Sequence, residues 1–108
     1  MKFDLQSMLE KVQQMQAEMD KVKQEINNKI VTAESGGGLV KATMNGANHL
    51  IKLEISPEII NANDVEMLED LIIAAVNNAT KAVVQMTQNE MSKLSTLLPN
   101  IPGLNLNL

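Results

Sequence analysis

The chain has 108 residues, and 44% of them are apolar while 20% are charged, which suits one globular domain. It contains no Cys, so disulfide frameworks, thiol nucleophiles and Cys-based zinc sites are excluded. The net charge is −4 and every basic residue is Lys, which is unlike a strongly basic nucleic-acid-binding domain. Because no apolar run approaches the roughly 20 residues of a membrane span, we expect a cytoplasmic protein.

A regular apolar pattern marks the first quarter of the chain. The apolar residues, which we call the α1 stripe, are Leu5, Met8, Val12, Met15, Met19, Val22 and Ile26. Their alternating steps of three and four residues are typical of a helix seam, and they predict an amphipathic helix from Asp4 to about Asn28. We expect the central residues to pack against another helix or a dimer partner, namely Met8, Val12, Met15, Met19 and Val22. A Met-rich groove for a peptide is the alternative.

Three β runs separated by turn residues follow the first helix. The runs are 29–34, 39–44 and 47–55, and the turns are Ser35–Gly38 and Asn45–Gly46. This pattern predicts a three-stranded antiparallel meander. A two-residue type I′ turn at Asn45–Gly46 would place Met44 opposite Ala47 and Val40 opposite Ile51.

A second long helix is predicted after the sheet. Asn63 is the expected N-cap, with Glu66 three residues later as in a capping box. The apolar stripe continues to about Leu98, and Pro99 ends the helix. The expected organisation is therefore a single α+β domain with the order α-β-β-β-α over residues 1–98, followed by a flexible Pro, Asn and Leu tail over residues 99–108.

The predicted helices are too long for a compact chain of this size. At 1.5 Å per residue they reach about 37 Å and 50 Å, whereas a compact chain of this length has a radius of gyration of about 13 Å. The helices must therefore extend beyond the sheet and expose apolar residues. We expect a homodimer for this reason.

No set of residues suggests catalysis. The Ser35–Gly38 run lacks the Lys and Ser/Thr of a phosphate-binding loop, and His49 has no Cys or acidic partner in the sequence pattern. The acidic residues Glu66, Glu69 and Asp70 fit the positive end of a helix dipole. We therefore expect no enzymatic activity, no cofactor and no metal site.

Any contact with nucleic acid would have to use lysines on the two long helices. These residues are Lys11, Lys21, Lys23, Lys81 and Lys93. On projecting helices they could meet phosphates. Since acidic residues lie near several of them, a solvated face of mixed charge is the alternative.

Three segments together resemble the YbaB/EbfC family of bacterial nucleoid-associated proteins. They are Glu34–Gly46 (ESGGGLVKATMNG), Leu53–Pro57 (LEISP) and Met67–Ala79 (MLEDLIIAAVNNA). With the Gln/Met-rich first helix and the Pro/Gly-containing tail, they occur in the family's order and cover nearly the whole chain.

The resemblance implies a tweezer-like homodimer that resides in the cytoplasm and nucleoid. It also implies binding to double-stranded DNA with little or modest sequence preference, with effects on gene expression or chromosome organisation. The five helix lysines named above are then the expected DNA contacts. The absence of Arg and the acidic net charge keep a protein-binding adaptor or chaperone-like dimer as the alternative.

Overall fold

The elements occur in the predicted order, and a short helix that begins at Pro57 stands between the sheet and the second long helix. A computed structural model describes residues 4–60 and 63–97. The elements are α1 (Leu5–Asn28), β1 (Ile30–Ser35), β2 (Val40–Asn45), β3 (Leu50–Ile55), α2 (Pro57–Ile60) and α3 (Val65–Leu97). The α+β class and the order of long helix, antiparallel sheet and long helix are confirmed. Residues 99–108, the expected tail, lie outside the described residues.

Helix α1 has a defined start and a defined end. Asp4 is the N-cap, and its carboxylate accepts hydrogen bonds from the Gln6 amide and the Ser7 hydroxyl, both at 3.1 Å. The helix ends because Lys29 is extended, with φ −71° and ψ 147°. The chain then passes directly into β1.

Strands β1 and β2 pair as the sequence predicts. The sheet order is β1-β2-β3, and Val31 lies opposite Met44 while Ala33 lies opposite Ala42. The Ser35–Gly38 loop joins these strands, and its three glycines all have positive φ. A side chain at these glycine positions would be strained, which explains why the tight loop uses glycine.

The predicted register between β2 and β3 is wrong. Val40 lies opposite Ile55 and Met44 opposite Leu50. The Asn45 side chain accepts hydrogen bonds from the amides of Ala47 and His49, at 2.9 and 3.1 Å. Asn48 adopts a left-handed φ of 63°, so a longer loop replaces the two-residue turn and shifts every pair.

Helix α3 packs across β1 and β2 to form the core. The buried cluster is Val40, Ala42, Met44, Ile59, Ala75, Ala79 and Val83. Ala75 and Ala79 are fully buried, and their small side chains let the helix lie close to the sheet. The helix begins one residue later than predicted, because the Asp64 carboxylate, not Asn63, accepts the Met67 amide hydrogen at 3.0 Å.

The molecule is long and narrow, with extents of 76 × 22 × 16 Å and a radius of gyration of 20.8 Å. The sheet and the α3 turns that cover it, residues 68–83, form what we call the body. Lys29, at the end of α1, bonds to Glu90 on α3, and from this joint α1 runs away from the body for about 36 Å. Within residues 4–60 and 63–97, no helix is both long and apolar enough to cross a bilayer.

Candidate nucleic-acid interface

An ion-pair cluster holds the inner end of α1 against α3. Lys29 Nζ donates a hydrogen bond to Glu90 Oε1, and Lys93 Nζ lies 3.4 Å from the same oxygen. The hydrogen bond from Lys29, together with the charges of Lys29 and Lys93, lowers the pKa of the Glu90 carboxyl below its ordinary value. One carboxylate is thus shared by two lysines, and Lys93, an expected DNA contact, is engaged within the protein.

The lysines of α1 are more available. Lys11, Lys21 and Lys23 are exposed, and within the described part of the chain none of them forms an ion pair. Lys11 has no acidic residue three or four positions away, whereas Lys21 lies between Glu18 and Glu25. Of the three α1 lysines, Lys11 therefore has the positive charge that is least offset by acidic neighbours on the helix.

The three α1 lysines do not share one face of the helix. At about 100° per residue, Lys11 and Lys21 are about 80° apart and about 15 Å apart along the axis. Lys23 lies about 160° from Lys21 and about 120° from Lys11. A duplex lying along one side of α1 can thus contact Lys11 and Lys21 together, while Lys23 faces elsewhere.

Lys81 lies over the body and not on the projecting helix. It is exposed on the side of α3 opposite the buried residues Ala79 and Val83. The positions three and four residues away hold Asn77, Asn78, Val84 and Gln85, none of them acidic. Lys81 is therefore a separate positive site, well removed from Lys11 along the long axis.

The outer sheet face carries a balanced set of charges. Lys41 lies between Glu34 and Glu54 across the strands, and Lys52 Nζ is 3.0 Å from Glu54 Oε1. The hydrogen bond from Lys52 and its charge lower the pKa of Glu54. Because every lysine on this face has an acidic neighbour, it is a poor surface for phosphate.

The α1 stripe changes its burial along the helix. The outer residues Leu5, Met8, Val12 and Met19 are exposed by 73%, 48%, 51% and 39%. Met15 and Val22 are half-buried, and Ile26 is buried beside the joint. Burial of the stripe is thus lowest at its outer end and complete only at Ile26.

Sequence reasoning missed a second apolar surface. It consists of β3 residues and of α3 residues outside the predicted stripe, and we call it the open apolar surface: Leu50, Ile51, Leu53, Ile73 and Val84. The signal in the sequence was that Ile73 and Val84 are apolar yet lie off the helix stripe. Ile51 and Leu53 were expected on the sheet face that helices cover, but α3 lies mainly over β1 and β2, and both residues stay exposed.

The two parts of the open apolar surface lie on the same side of the body. Ser35 Oγ donates to the Leu71 carbonyl oxygen and Asn78 Nδ2 to the Glu34 carbonyl oxygen, so that side of α3 faces β1. Thr80 faces the other way and reaches Met44 Sδ at 3.6 Å. Ile73 and Val84 are seven residues before and four after Thr80, and they therefore lie on the β3 side.

No metal site is formed among the described residues, in which no three His, Asp or Glu side chains come close enough to hold an ion. The arrangement instead offers a long helix with exposed lysines and two exposed apolar surfaces. Such features suit the binding of macromolecules.

The chain is similar in sequence to nucleoid-associated proteins of bacteria. A nucleoid-associated protein of Thermoanaerobacter pseudethanolicus is 45% identical over 102 residues, covering 94% of this chain and 91% of that protein. A nucleoid-associated protein of Clostridium acetobutylicum is 42% identical over 101 residues, covering 94% and 89%.

A solved structure shares the fold. The crystal structure of the uncharacterized protein HP0035 from Helicobacter pylori matches with a TM-score of 0.70 and 25% identity, covering 86% of this chain and 98% of that one. The family model described as the YbaB/EbfC DNA-binding family matches residues 1–98. With its lysine-bearing helices and shared fold, the chain belongs to the YbaB/EbfC DNA-binding family.

Proposed function

We propose that the protein is a nucleoid-associated homodimer that binds double-stranded DNA with little or modest sequence preference. The observation that carries this proposal is the placement of Lys11 and Lys21 on one side of the projecting α1, where both are exposed and form no ion pair with the described residues. Two such cations about 15 Å apart can meet phosphates of one duplex. The nucleoid-associated relatives and the DNA-binding family support the same function.

The chemistry of the contacts favours the DNA backbone over the base edges. Lys is a flexible point charge, whereas base recognition most often uses the rigid, bidentate guanidinium of Arg, which this chain lacks. Phosphate contacts position a protein on DNA without reading its sequence. The net charge of −4 further limits long-range attraction, so binding should be weak and strongly dependent on salt.

The open apolar surface supports the homodimer. Ile73 and Val84 of α3 are exposed by 57% and 49%, and the adjacent strand β3 is an edge with unpaired backbone groups. A second copy that presents the same surface across a two-fold axis would cover both. The projecting α1 helices then remain outside this contact, as in a pair of tweezers.

Two substitutions on this surface test the dimer. Val84→Asp and Leu53→Asp each place a charge where apolar contact is proposed, so light scattering after gel filtration should report a monomer. Val12→Asp, which adds the same charge on α1, is the matched control and should leave the dimer intact. A dimer that persists in both surface variants would rule out this interface.

Titration of a labelled duplex of about 30 base pairs by fluorescence anisotropy, at several salt concentrations, tests the DNA contacts. The variant carrying both Lys11→Gln and Lys21→Gln should bind more weakly. Its slope of log affinity against log salt should be shallower by about 0.9 for each phosphate that is no longer neutralised. Lys52→Gln, on the balanced sheet face, is the control and should change little.

Two results would contradict the proposal at different levels. An unchanged salt slope in the Lys11 and Lys21 variant would mean that other residues bind the phosphates. No binding by the wild-type protein even at low salt would favour the protein-binding adaptor instead. If DNA binding holds, residence in the nucleoid of the cytoplasm and effects on chromosome organisation or gene expression follow as parts of the same proposal.

A further inference from the structure

The exposed outer half of the α1 stripe is not used by DNA binding or by the open apolar surface. Leu5, Met8 and Val12 are about half exposed or more, and Leu9 beside them is exposed by 59%. Leu5, Met8 and Val12 lie about 60° to 120° from Lys11 around the helix axis, and further from Lys21. The protein thus keeps an apolar seam at the part of α1 that is far from the body.

The spacing of the stripe is that of a helix that pairs with another helix. Leu5, Val12 and Met19 fall at one heptad position, and Met8, Met15 and Val22 at the other. The flanking positions carry charge, with Lys11 and Glu18 on the same border of the stripe. Charges at these borders normally pair across a helix seam and set its orientation.

The orientation of a second helix is limited by the body. The innermost residue of the stripe, Ile26, is buried, whereas Val22 is half-buried and stays partly accessible. A helix lying parallel to α1 would bring its own body to this covered end, where α3 already lies. An antiparallel helix avoids the clash, because its body stays at the far end of α1.

Charge complementarity identifies the second helix as another copy of α1. With Val12 opposite Met15 of the second copy, Met8 comes opposite Met19 and Leu5 opposite Val22. The same register brings each Lys11, where it is not bound to phosphate, beside the Glu18 of the other helix, which gives two attractive pairs. Asp4 comes opposite Glu25 only at the ends, where solvent and salt screen the repulsion.

We propose that residues 5–22 of α1 associate with the α1 of another copy of the chain in this antiparallel register and so link separate dimers. The seam is about 27 Å long and has only six core layers, so a single seam is weak. Each dimer carries two such helices, and dimers held on one DNA molecule meet at a high effective concentration. The result is a chain of dimers that can join neighbouring DNA segments.

Light scattering over a range of protein concentrations, without DNA, tests the association. The average mass of the wild-type protein should rise above that of the dimer as concentration increases, by about twofold when dimers pair. Val12→Asp should stay at the dimer mass. Gln13→Asp adds the same charge on the other side of α1 and should behave as the wild-type protein does.

Other results would overturn the proposal in recognisable ways. A wild-type mass that stays at the dimer value at all concentrations would mean that the stripe does not bind a second copy. A Val12→Asp protein that becomes monomeric would place α1 in the dimer interface itself. If Gln13→Asp also stays at the dimer mass, the added negative charge prevents association wherever it lies on α1, and the apolar stripe is not the cause.

The absence of cysteine allows a direct test of the register. A mixture of Val12→Cys and Met15→Cys proteins should form a mixed disulfide under mild oxidation, because these positions face each other in the proposed seam. Gln13→Cys mixed with Met15→Cys should not. If Val12→Cys instead links mainly to itself, the helices are parallel and the proposed arrangement is wrong.

Discussion

Lys29 and Glu90 are 61 residues apart in the sequence, and their side chains form the hydrogen-bonded ion pair that joins α1 to α3. The Glu90 carboxylate also lies 3.4 Å from the Lys93 ammonium. Two of the positive charges nearest the base of the projecting helix are therefore partly neutralised by one acid. Glu90 therefore has two effects: it attaches α1 to α3, and it reduces the positive charge near the base of α1.

Replacing Glu90 with Gln should strengthen DNA binding. The substitution removes one negative charge and the ion pair that holds Lys29, so the affinity at low salt should rise and the salt slope should steepen. Fluorescence-anisotropy titration of the labelled duplex of about 30 base pairs measures both the affinity and the salt slope. Glu54→Gln is the matched control, since it also removes an acid bonded to a lysine, but on the balanced sheet face. Equal gains in the two variants would show that only net charge matters.

The same ion pair predicts how stability depends on pH. The pKa of Glu90 is lowered in the folded protein, so the stabilising contribution of its carboxylate is present above the unfolded pKa and is lost as pH falls through the folded pKa. Thermal unfolding should therefore show the wild-type protein more stable than Glu90→Gln near neutral pH. This difference should disappear in acid below the lowered pKa. A difference that grows in acid would contradict the assignment.

Gly46 is where the β2–β3 loop touches the end of α1, and its amide donates to the Lys29 carbonyl oxygen at 2.9 Å. A Cβ at this position would overlap the Ile26 carbonyl oxygen. Gly46→Ala should therefore lower the free energy of unfolding by more than about 2 kcal/mol, measured by urea denaturation. Gly37→Ala is the comparison, because it has open space but a φ of +69° and should lose only about 1 kcal/mol. Equal losses would mean that the contact with α1 does not matter.

Asn48 permits the longer β2–β3 loop because it adopts a left-handed backbone with φ 63°. Asn48→Gly should leave stability nearly unchanged, since glycine reaches this conformation freely. Asn48→Val should lower it by about 1–2 kcal/mol, because a β-branched residue is strained there. Urea midpoints of the two variants provide the comparison. A valine variant as stable as the glycine variant would show that the loop can take another conformation.

The local sequence patterns predicted which segments form helices and strands, but not how these elements pack and pair with one another. The α1 stripe predicted a helix. Val12 and Ile26 fit its spacing equally well, but of these two residues only Ile26 is buried. The hairpin register failed because the Asn45 side chain, not the Asn-Gly pair alone, determines the loop. Such outcomes depend on tertiary contacts that periodicity does not contain.

For the candidate DNA contacts, too, the sequence predicted the residue type but not all of the tertiary contacts. The sequence identified the lysines, because no other residue type in the chain can neutralise phosphate. It could not place Lys93 beside Glu90 together with Lys29, since Lys29 is distant in the sequence. The separation of Lys23 from Lys11 and Lys21, by contrast, follows from the helix that the sequence already predicts over these positions.

Attachment at one end has a consequence for the motion of α1. The helix is tied to the rest of the molecule near Ile26 and Lys29, and its outer turns lack the packing that gives most helices their stability. Amide hydrogens should therefore exchange with solvent progressively faster from Ile26 towards Leu5, while those of Ala75 and Ala79 exchange only on global unfolding. We therefore expect the outer turns of α1 to unwind far more readily than the core of the body.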